Sequence, residues 1–236
     1  YRGKKPIYWC PTCETALAEA EVEYENHISH SIYVKFKVEP STVSVEGIDA
    51  DNTFVVIWTT TPWTLPANLA VSFHPEYEYS VFRSGGEFFI LANGLAEAFA
   101  QSTGKTLDSS VPLTMDQMKG MVVKHPFIDR ESKVIFGTHV TLEQGTGIVH
   151  TAPGHGMEDY MVCQKYDYSG KTKIGIIVPV DDRGIMTSES GKYEGMFYSK
   201  ANDAIWQDLS DCGALLASQN ISHPYPHCWR CKNPII

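Results

Sequence analysis

The chain contains two pairs of closely spaced cysteines, and thiolates are strong ligands for zinc. Cys10 and Cys13 lie near the start of the sequence, and Cys228 and Cys231 lie near its end. A gap of two residues lets one tight turn present both sulfur atoms to a single ion, and a tetrahedral zinc site takes four such ligands. We therefore predict that the two pairs share one structural zinc ion, which joins the two ends of the chain.

Two other interpretations of the cysteine pairs stay open. A redox pair of the thioredoxin type is expected within a βαβ unit, and the sequence predicts no such unit here. The cysteines can also be reduced and unliganded, which is the interpretation that we give to Cys163 and Cys212. His223 and His227 lie close to the second pair and are alternative zinc ligands.

A run of threonines follows a stretch of β-branched and aromatic residues and precedes a loop that two prolines stiffen. Thr59, Thr60, Thr61 and Thr64 place several hydroxyl groups in a fixed array, and each can donate and accept hydrogen bonds. The pattern indicates a binding or catalytic segment. A strand end with its turn has the same composition, because threonine favours strands and proline favours loops.

A third segment combines histidines with acidic residues. His150 lies at the end of a predicted strand, His155 lies in a Pro-Gly loop, and Glu158 and Asp159 begin a predicted helix. The helix dipole alone explains carboxylates at that position, and either histidine can belong to the core. The spacing matches no standard zinc motif. We interpret the junction as a small-ligand pocket in which Asp159 attracts a cationic group such as an ammonium.

The segments between these residues are mostly short strands. Residues 31–38 alternate between apolar and polar side chains, which predicts a half-buried strand. Residues 77–83 and 87–92 predict a hairpin. Further strands are predicted at residues 53–60, 121–124, 133–136, 147–151 and 173–180, and helices at residues 15–23, 95–101, 156–166 and 200–216. Strands separated by turns, with few helices, indicate a mainly β (α+β) protein with a barrel or sandwich core.

The composition limits the classes of function. The 236 residues carry 19 basic and 28 acidic side chains, a net charge of −9, so any contact with nucleic acid is expected to be local. A hydrophobic content of 43% is sufficient for a folded core. No apolar run reaches the roughly 18 residues of a membrane helix, and we recognise no signal peptide. Six cysteines are too few for a disulfide scaffold, so we expect a cytoplasmic protein.

Together, the threonine and histidine segments resemble the editing domain that is inserted into class I isoleucyl-tRNA synthetases. The matching segments are residues 58–68 (WTTTPWTLPAN) and 145–160 (GTGIVHTAPGHGMEDY), and both chain ends resemble the borders of that insertion. The valyl and leucyl enzymes carry an arginine where this sequence has Thr61. The chain contains no sequence that resembles the HIGH or KMSKS motifs, so we do not expect it to bind ATP.

The resemblance implies a fold, a reaction and partners. Residues 31–217 would form a β-barrel core with peripheral helices, and residues 1–30 and 218–236 would form border segments joined by zinc. The implied reaction is the hydrolysis, by water, of the ester between valine and the 3′ end of tRNA(Ile), without a cofactor. The implied partners are that 3′ end and the remainder of a parent synthetase. We expect a monomer that does not contact a membrane.

The same resemblance implies roles for individual residues. Asp159 matches the aspartate that holds the α-ammonium of the substrate. His150 matches the histidine that lines the side-chain pocket and helps to exclude isoleucine. The residues at the ester and the terminal adenosine are implied to be Thr59, Thr60 and Thr61. The remaining residues implied to bind the substrate are Trp63, Thr64 and Asn68.

Two alternative functions stay open. A valyl or leucyl editing domain would hydrolyse a different misacylated tRNA, so the tRNA that is cleaved distinguishes it. A zinc-joined insertion with a degenerate pocket would position tRNA without cleaving it. The complete set of threonines together with His150 and Asp159 argues against a degenerate pocket.

Overall fold

The computed structural model describes residues 5–169 and 173–236, and strands form most of their regular structure. The strands are β1 (Tyr8–Cys10), β2 (Thr15–Leu17), β3 (Val22–Val38), β4 (Thr53–Thr59), β5 (Ala70–Phe73), β6 (Tyr79–Ser84), β7 (Glu87–Ala92), β8 (Ser109–Leu113), β9 (Val122–Lys124), β10 (Glu131–Phe136), β11 (Ile148–Thr151) and β12 (Leu215–Cys228). The α-helices are α1 (Ala96–Thr103), α2 (Met115–Met118), α3 (Met157–Ser169) and α4 (Tyr198–Asp211). Within the described residues, none of these helices has the length and apolar character needed to cross a membrane.

One large sheet carries the fold, and β1 and β2 form a separate antiparallel hairpin. The hydrogen-bonded order of the large sheet is β11-β5-β10-β9-β3-β4-β7-β6-β8, and β12 pairs with β3 outside this path. The β5–β10 and β4–β7 pairs are parallel, and the predicted hairpin of β6 and β7 is antiparallel. The mainly β class with peripheral helices is therefore confirmed.

The sheet turns back on itself in the manner of a barrel. The Oγ1 of Thr146, just before β11, donates a hydrogen bond to the carbonyl oxygen of Val56 in β4 (2.7 Å). Ile148 of β11 and Ile57 of β4 belong to the same buried cluster. Among the described residues no backbone ladder joins β11 to β4. The wall is closed by packing, by this side-chain contact and by a backbone hydrogen bond from the N–H of Ala92 to the carbonyl oxygen of Thr146 (2.9 Å).

The alternation of residues 31–38 places one face of β3 in the core, as predicted. The side chains of Ile32, Val34, Phe36 and Val38 are all completely buried. Burial of an apolar side chain of this size contributes about 1.5–3 kcal/mol, which holds this strand in the middle of the sheet.

β3 is longer than predicted, because it pairs with a strand from the far end of the chain. β12 runs antiparallel to it, with Ser222 opposite Ile28 and Cys228 opposite Val22. The helix predicted for residues 200–216 ends at Asp211, and the chain then turns at Gly213, whose positive φ of 70° favours glycine. The pairing of β3 with β12 therefore extends across both predicted domain borders, which lie between residues 30 and 31 and between residues 217 and 218.

Two other predicted elements were wrong. Residues 15–23 do not form a helix: Thr15–Leu17 is β2, which pairs with β1, and Glu19–Glu21 is a short 3₁₀-helix. Residues 173–180 form no strand, and only Val180 makes an isolated bridge, with Met186. In both cases the local composition was a poor guide, because the availability of a partner strand determines whether a strand forms.

Candidate functional site

The four paired cysteines meet at one end of the molecule. The β1–β2 hairpin carries Cys10 and Cys13, and the end of β12 carries Cys228 and the turn to Cys231. Their sulfur atoms all lie within 4.8 Å of one another. The backbone N–H of Cys13 donates to Cys10 Sγ (3.3 Å), and Cys10 and Cys228 are completely buried. The predicted clustering of the two pairs is thus confirmed.

The other candidate ligands lie outside this cluster. His223 contacts Ser29 through Nε2 (2.9 Å), and the Nδ1 of His227 lies 2.8 Å from a backbone carbonyl. Cys163 is buried in α3, and Cys212 is exposed after α4. Within the described chain, the four paired cysteines form the one group of potential metal ligands with three or more members.

The threonine run spans the end of β4 and the start of a 3₁₀-helix at Pro62–Ala67. The backbone N–H of Thr61 donates to Thr59 Oγ1 (3.1 Å), and the hydroxyl of Thr64 donates to the carbonyl of Thr61 (2.8 Å). These bonds stabilise the sharp turn from strand to helix. Thr60 and Thr61 remain half-buried, so their side chains stay accessible to a ligand.

His150 connects the two motifs that the sequence analysis identified. It lies on β11, its Nε2 is 2.9 Å from Thr64 Oγ1, and its Nδ1 is 2.8 Å from Asn68 Nδ2. An amide nitrogen only donates, so Nδ1 is the acceptor and the neutral ring carries its proton on Nε2, toward Thr64. Burial lowers the pKa of His150 to about 3, and the ring is therefore neutral at physiological pH.

Asn68 in turn is held by three partners, which makes this junction rigid. Besides His150, its amide nitrogen donates to the carbonyl of Ala70 (2.9 Å), and its amide oxygen accepts from the hydroxyl of Ser132. The backbone N–H of Trp63 donates to Asn202 Oδ1 of α4 (2.8 Å). The 3₁₀-helix is consequently anchored to both the sheet and α4.

Asp159 lies in the first turn of α3, beside the end of β11. Its Oδ2 accepts a hydrogen bond from the backbone N–H of Ala152 (2.9 Å). Its Oδ1 lies 3.8 Å from Nε2 of His139, and the Asp159 side chain is 16% exposed. Burial raises the pKa of this carboxyl group to about 6, against the lowering effect of the bond from Ala152.

Three cavities meet at the threonine segment. The residues around the first, of about 350 Å³, include Thr59, Thr60, His139 and the chain from Gly145 to Val149. The residues around the second, of about 480 Å³, include Thr61, Trp63, Thr64, His155 and Tyr225. The third, of about 590 Å³, lies between β3 and α4, and Thr60 and Pro62 form part of its lining. The consecutive threonines therefore line separate cavities.

Aromatic side chains form much of the wall of the second cavity. The Trp63 ring contacts the His155 ring edge to face, with centroids 4.9 Å apart. Trp63 and Tyr225 both line this cavity. Burial lowers the pKa of His155 to about 4, so this ring is uncharged at neutral pH.

Sequence reasoning missed His139, Asn202 and Tyr225. His139 lies in the connection between β10 and β11, and its sequence neighbours Thr138 and Val140 show no recognisable motif. Asn202 is one of several polar residues of α4. Tyr225 falls in the segment that resembles the insertion border, which was the one available signal.

Comparisons with known proteins place these features in context. A family model described as tRNA synthetases class I (I, L, M and V) matches residues 1–138. The isoleucine–tRNA ligase of Fervidobacterium nodosum is 50% identical over 236 residues, which are 100% of this chain and 24% of that protein. The isoleucine–tRNA ligase of Petrotoga mobilis is 49% identical over 240 residues, again 100% of this chain and 24% of the relative. The chain thus spans about a quarter of the length of these relatives.

Solved structures share the fold at low sequence identity. A crystal structure of GlLeuRS-CP1 has a TM-score of 0.61 and 14% identity, and the match covers 80% of this chain and 98% of that chain. The editing domain of the Plasmodium falciparum cytosolic leucyl-tRNA synthetase has a TM-score of 0.59 and 10% identity, with 80% and 99% covered. At these identities the likeness concerns the fold.

Proposed function

The chain belongs to the class I tRNA synthetase family (I, L, M and V), and on this premise we propose that it is the editing domain of an isoleucyl-tRNA synthetase. It hydrolyses the ester of valine wrongly attached to tRNA(Ile). The 50% identity with an isoleucine–tRNA ligase over the whole chain supports the amino acid specificity. The editing-domain fold of the structural neighbours supports the hydrolytic role.

One observation carries this proposal. His150 joins the threonine segment to the segment of Asp159 through its hydrogen bonds to Thr64 (2.9 Å) and Asn68 (2.8 Å). Hydroxyl groups and aromatic walls line the cavities at the threonine segment, and the carboxylate of Asp159 lies in the segment that His150 connects to it. An aminoacylated adenosine presents an ester, an ammonium and an aromatic base, which are the complementary groups.

The proposed mechanism uses water as the nucleophile. Asp159 binds the α-ammonium, while Thr59, Thr60 and Thr61 contact the ester and the ribose of the terminal adenosine. Trp63 lies beside the cavity that receives the adenine. Water adds to the ester carbonyl carbon, the bond to the ribose oxygen breaks, and that oxygen leaves with a proton. Orientation of the water and stabilisation of the oxyanion supply the rate enhancement.

His150 has a positioning role in this proposal. Both of its ring nitrogens are engaged and its pKa is lowered to about 3, so it is poorly suited to accept a proton from water. It holds Thr64 and Asn68 in place and limits the space beside the substrate. The roles of Thr64 and Asn68 are likewise to shape the pocket.

The need for such a site follows from the similarity of the two amino acids. Isoleucine and valine differ by one methylene, which changes binding by only about 1–3 kcal/mol, and this pair is the standard example of that limit. A second pocket that admits valine and excludes isoleucine raises the overall accuracy.

We also propose that the four cysteines hold a structural zinc ion. At a zinc–sulfur distance of about 2.3 Å, tetrahedral ligands lie about 3.8 Å apart. The sulfur atoms fit this geometry, since all lie within 4.8 Å of one another and Cys10 and Cys231 are 3.5 Å apart. The ion would join the border segments 1–30 and 218–236 to each other, beside the editing core at residues 31–217.

The test is deacylation of Val-tRNA(Ile) and Ile-tRNA(Ile) by the chain and its Asp159→Ala variant. We expect faster release of valine than of isoleucine, and a loss of at least about tenfold in the variant, because a hydrogen bond to a charged group contributes about 1.5–3 kcal/mol. Glu158→Ala, which removes the neighbouring exposed carboxylate, is the matched control and should retain activity.

Three outcomes would overturn this proposal. The first is that folded chain at micromolar concentration releases neither amino acid, and the second is that it releases both at equal rates. The third is that it hydrolyses Thr-tRNA(Val) in preference, which would assign it to a valyl enzyme.

A further inference from the structure

The cavity of about 590 Å³ between β3 and α4 is not used by the reaction proposed above. Residues 27–30 of β3 form one wall. The other wall is α4, where Ser199, Asn202, Asp203 and Trp206 line the cavity. Their spacing of three and four residues places them on one face of the helix. The volume is within the range of about 300–1,000 Å³ that small-ligand sites have.

Two features join this cavity to the rest of the site. Thr60 lines it together with Pro62, and Thr60 also lines the cavity of about 350 Å³ where the ester is proposed to lie. The Oδ1 of Asn202 accepts a hydrogen bond from the backbone N–H of Trp63 (2.8 Å). Trp63 in turn lines the cavity of about 480 Å³ that is proposed to receive the adenine. The three cavities therefore meet at residues 60–63.

The end of a tRNA has three groups to place around these residues. The ribose of the terminal nucleotide carries adenine at C1′, the aminoacyl ester at C3′ and, at C5′, the phosphodiester to the preceding nucleotide. The proposed function assigns the ester to the cavity of Thr59 and Thr60, and the adenine to the cavity of Trp63. The cavity between β3 and α4 is left for the preceding nucleotide, which is a cytidine because tRNAs end in C-C-A.

We propose that the cavity between β3 and α4 binds this cytidine. The ring of Trp206 stacks on the base, and the carboxylate of Asp203 accepts a hydrogen bond from its N4 amino group. This inference rests on the proposed function, which places the ester and the adenosine. The cavity is then a second subsite for the tRNA end, which adds affinity without taking part in the hydrolysis.

Trp206 has the exposure that a stacking residue needs. It is 37% exposed, although it lies on a helix that packs against the core. Ile28, on the opposite wall of the cavity, is 70% exposed. Apolar surface of this kind is unfavourable in water, and a stacked base would cover it. Aromatic side chains bind nucleobases through their flat faces, so this contact does not require a basic residue.

The polar groups of the cavity favour a base over a phosphate. Among the described residues that line it there is no lysine or arginine, and Asp203 supplies a carboxylate. Burial lowers the pKa of His27 on the opposite wall, so this ring adds no charge at neutral pH. A carboxylate repels a phosphate but accepts a hydrogen bond from the amino group of cytosine. Uracil has a carbonyl oxygen at that position and is disfavoured.

The experiment measures binding of three non-hydrolysable probes. The first is 3′-valylamido-3′-deoxyadenosine with a methyl phosphate at its 5′ oxygen. In the second and third, a cytidine or a uridine, linked through its 3′ oxygen, replaces the methyl group. The cytidine probe should bind at least about fivefold more tightly than the first, as expected for one base stacked on an aromatic side chain. It should bind at least about threefold more tightly than the uridine probe, as expected for one hydrogen bond.

Variants of the two residues locate the contact. Trp206→Ala should remove most of the advantage of the cytidine and leave the affinity for the first probe within about twofold, whereas Trp206→Phe should retain most of the advantage. Asp203→Asn should equalise the cytidine and uridine probes, because an amide offers both a donor and an acceptor. Trp229→Ala is the matched control, since Trp229 is 45% exposed and lies outside this cavity. Thermal unfolding verifies that each variant is folded.

The inference is overturned if the cytidine adds no affinity, or if its contribution survives in Trp206→Ala. Equal weakening of the first two probes by Trp206→Ala also overturns it, because Trp206 would then act in packing only. Equal binding of the cytidine and uridine probes by the unaltered chain refutes the role of Asp203. Deacylation of Val-tRNA(Ile), measured in parallel, separates the two proposals. Hydrolysis with no selective effect of Trp206→Ala refutes this inference alone, whereas absence of hydrolysis refutes the proposed function.

Discussion

Burial acts in opposite directions on the two ionisable residues that the resemblance selected. It lowers the pKa of His150 to about 3 and raises that of Asp159 to about 6. A buried group favours its neutral form, which is the free base for imidazole and the acid for a carboxyl group. At neutral pH the histidine is uncharged, whereas the aspartate is still mostly ionised. Of these two side chains, it is therefore the carboxylate of Asp159 that can attract an ammonium.

The raised pKa of Asp159 predicts an acid limb in the pH profile. The ionised fraction of Asp159 falls as the pH decreases through about 6, and the proposed ammonium binding should be lost with it. We expect valine release at low substrate concentration to decrease about tenfold per pH unit below this midpoint. Initial rates of Val-tRNA(Ile) deacylation between pH 4.5 and 8 measure this effect.

The matched variant for this profile is Asp159→Asn, which cannot ionise. Its residual rate should be independent of pH in the same interval. An acid limb that persists in the variant would assign the titration to another group. If the acid limb of the unaltered chain has its midpoint near pH 4, Asp159 is more hydrated than its burial indicates.

At the scale of elements, the ladder of β3 and β12 links the cysteine cluster to the pocket. β12 pairs with β3 from Leu215 to Cys228, and β3 continues into the core at Ile32. The outer part of the ladder is largely exposed, so burial alone does little to hold it. A metal ion at its end would supply the missing constraint.

We expect one zinc ion per chain, and its removal by a chelator should loosen the outer ladder. Hydrogen exchange at the amides of residues 22–28 and 222–228 should accelerate at least about tenfold, while exchange in β4 changes little, because the core does not depend on the metal. Metal analysis and exchange with and without chelator measure the two quantities.

Cys228→Ser should reproduce the effect of the chelator. Cys212→Ser is its matched control, because Cys212 is exposed and lies outside the cluster. A chain that contains no zinc after purification in zinc-containing medium contradicts this prediction. So does exchange that is insensitive to the chelator.

At the scale of the whole molecule, the net charge limits the contact with tRNA that the proposed function requires. With 19 basic and 28 acidic residues, its net charge of −9 opposes broad contact with a phosphate backbone. We expect the isolated chain to bind tRNA(Ile) with a Kd weaker than about 1 µM at physiological salt, since few phosphates are neutralised. A filter-binding titration at several salt concentrations measures this.

Sub-micromolar binding that resists salt would contradict this expectation. It would mean that a basic surface exists despite the acidic composition. Weak binding instead agrees with a domain that receives only the 3′ end while other parts of a longer synthetase hold the tRNA.

Much of the framework was predictable because it depends on local patterns. The alternation of Ile32, Val34, Phe36 and Val38 identifies the buried face of β3, since neighbouring side chains of a strand point to opposite sides. The start of α3 and the hairpin of β6 and β7 also follow from turn residues and composition. The strand wrongly predicted at residues 173–180 shows the limit, because apolar residues form a strand only where a partner strand is available.

The sequence by itself determined which residues could take part in chemistry: two cysteine pairs, a threonine run, His150 and Asp159. Only the tertiary structure decided what each of them can do. It occupied both nitrogens of His150, placed Oδ1 of Asp159 3.8 Å from Nε2 of His139, and brought the four sulfur atoms within 4.8 Å of one another. The physical reason is that burial and hydrogen-bond satisfaction depend on groups far apart in the chain, whereas residue type and spacing are local.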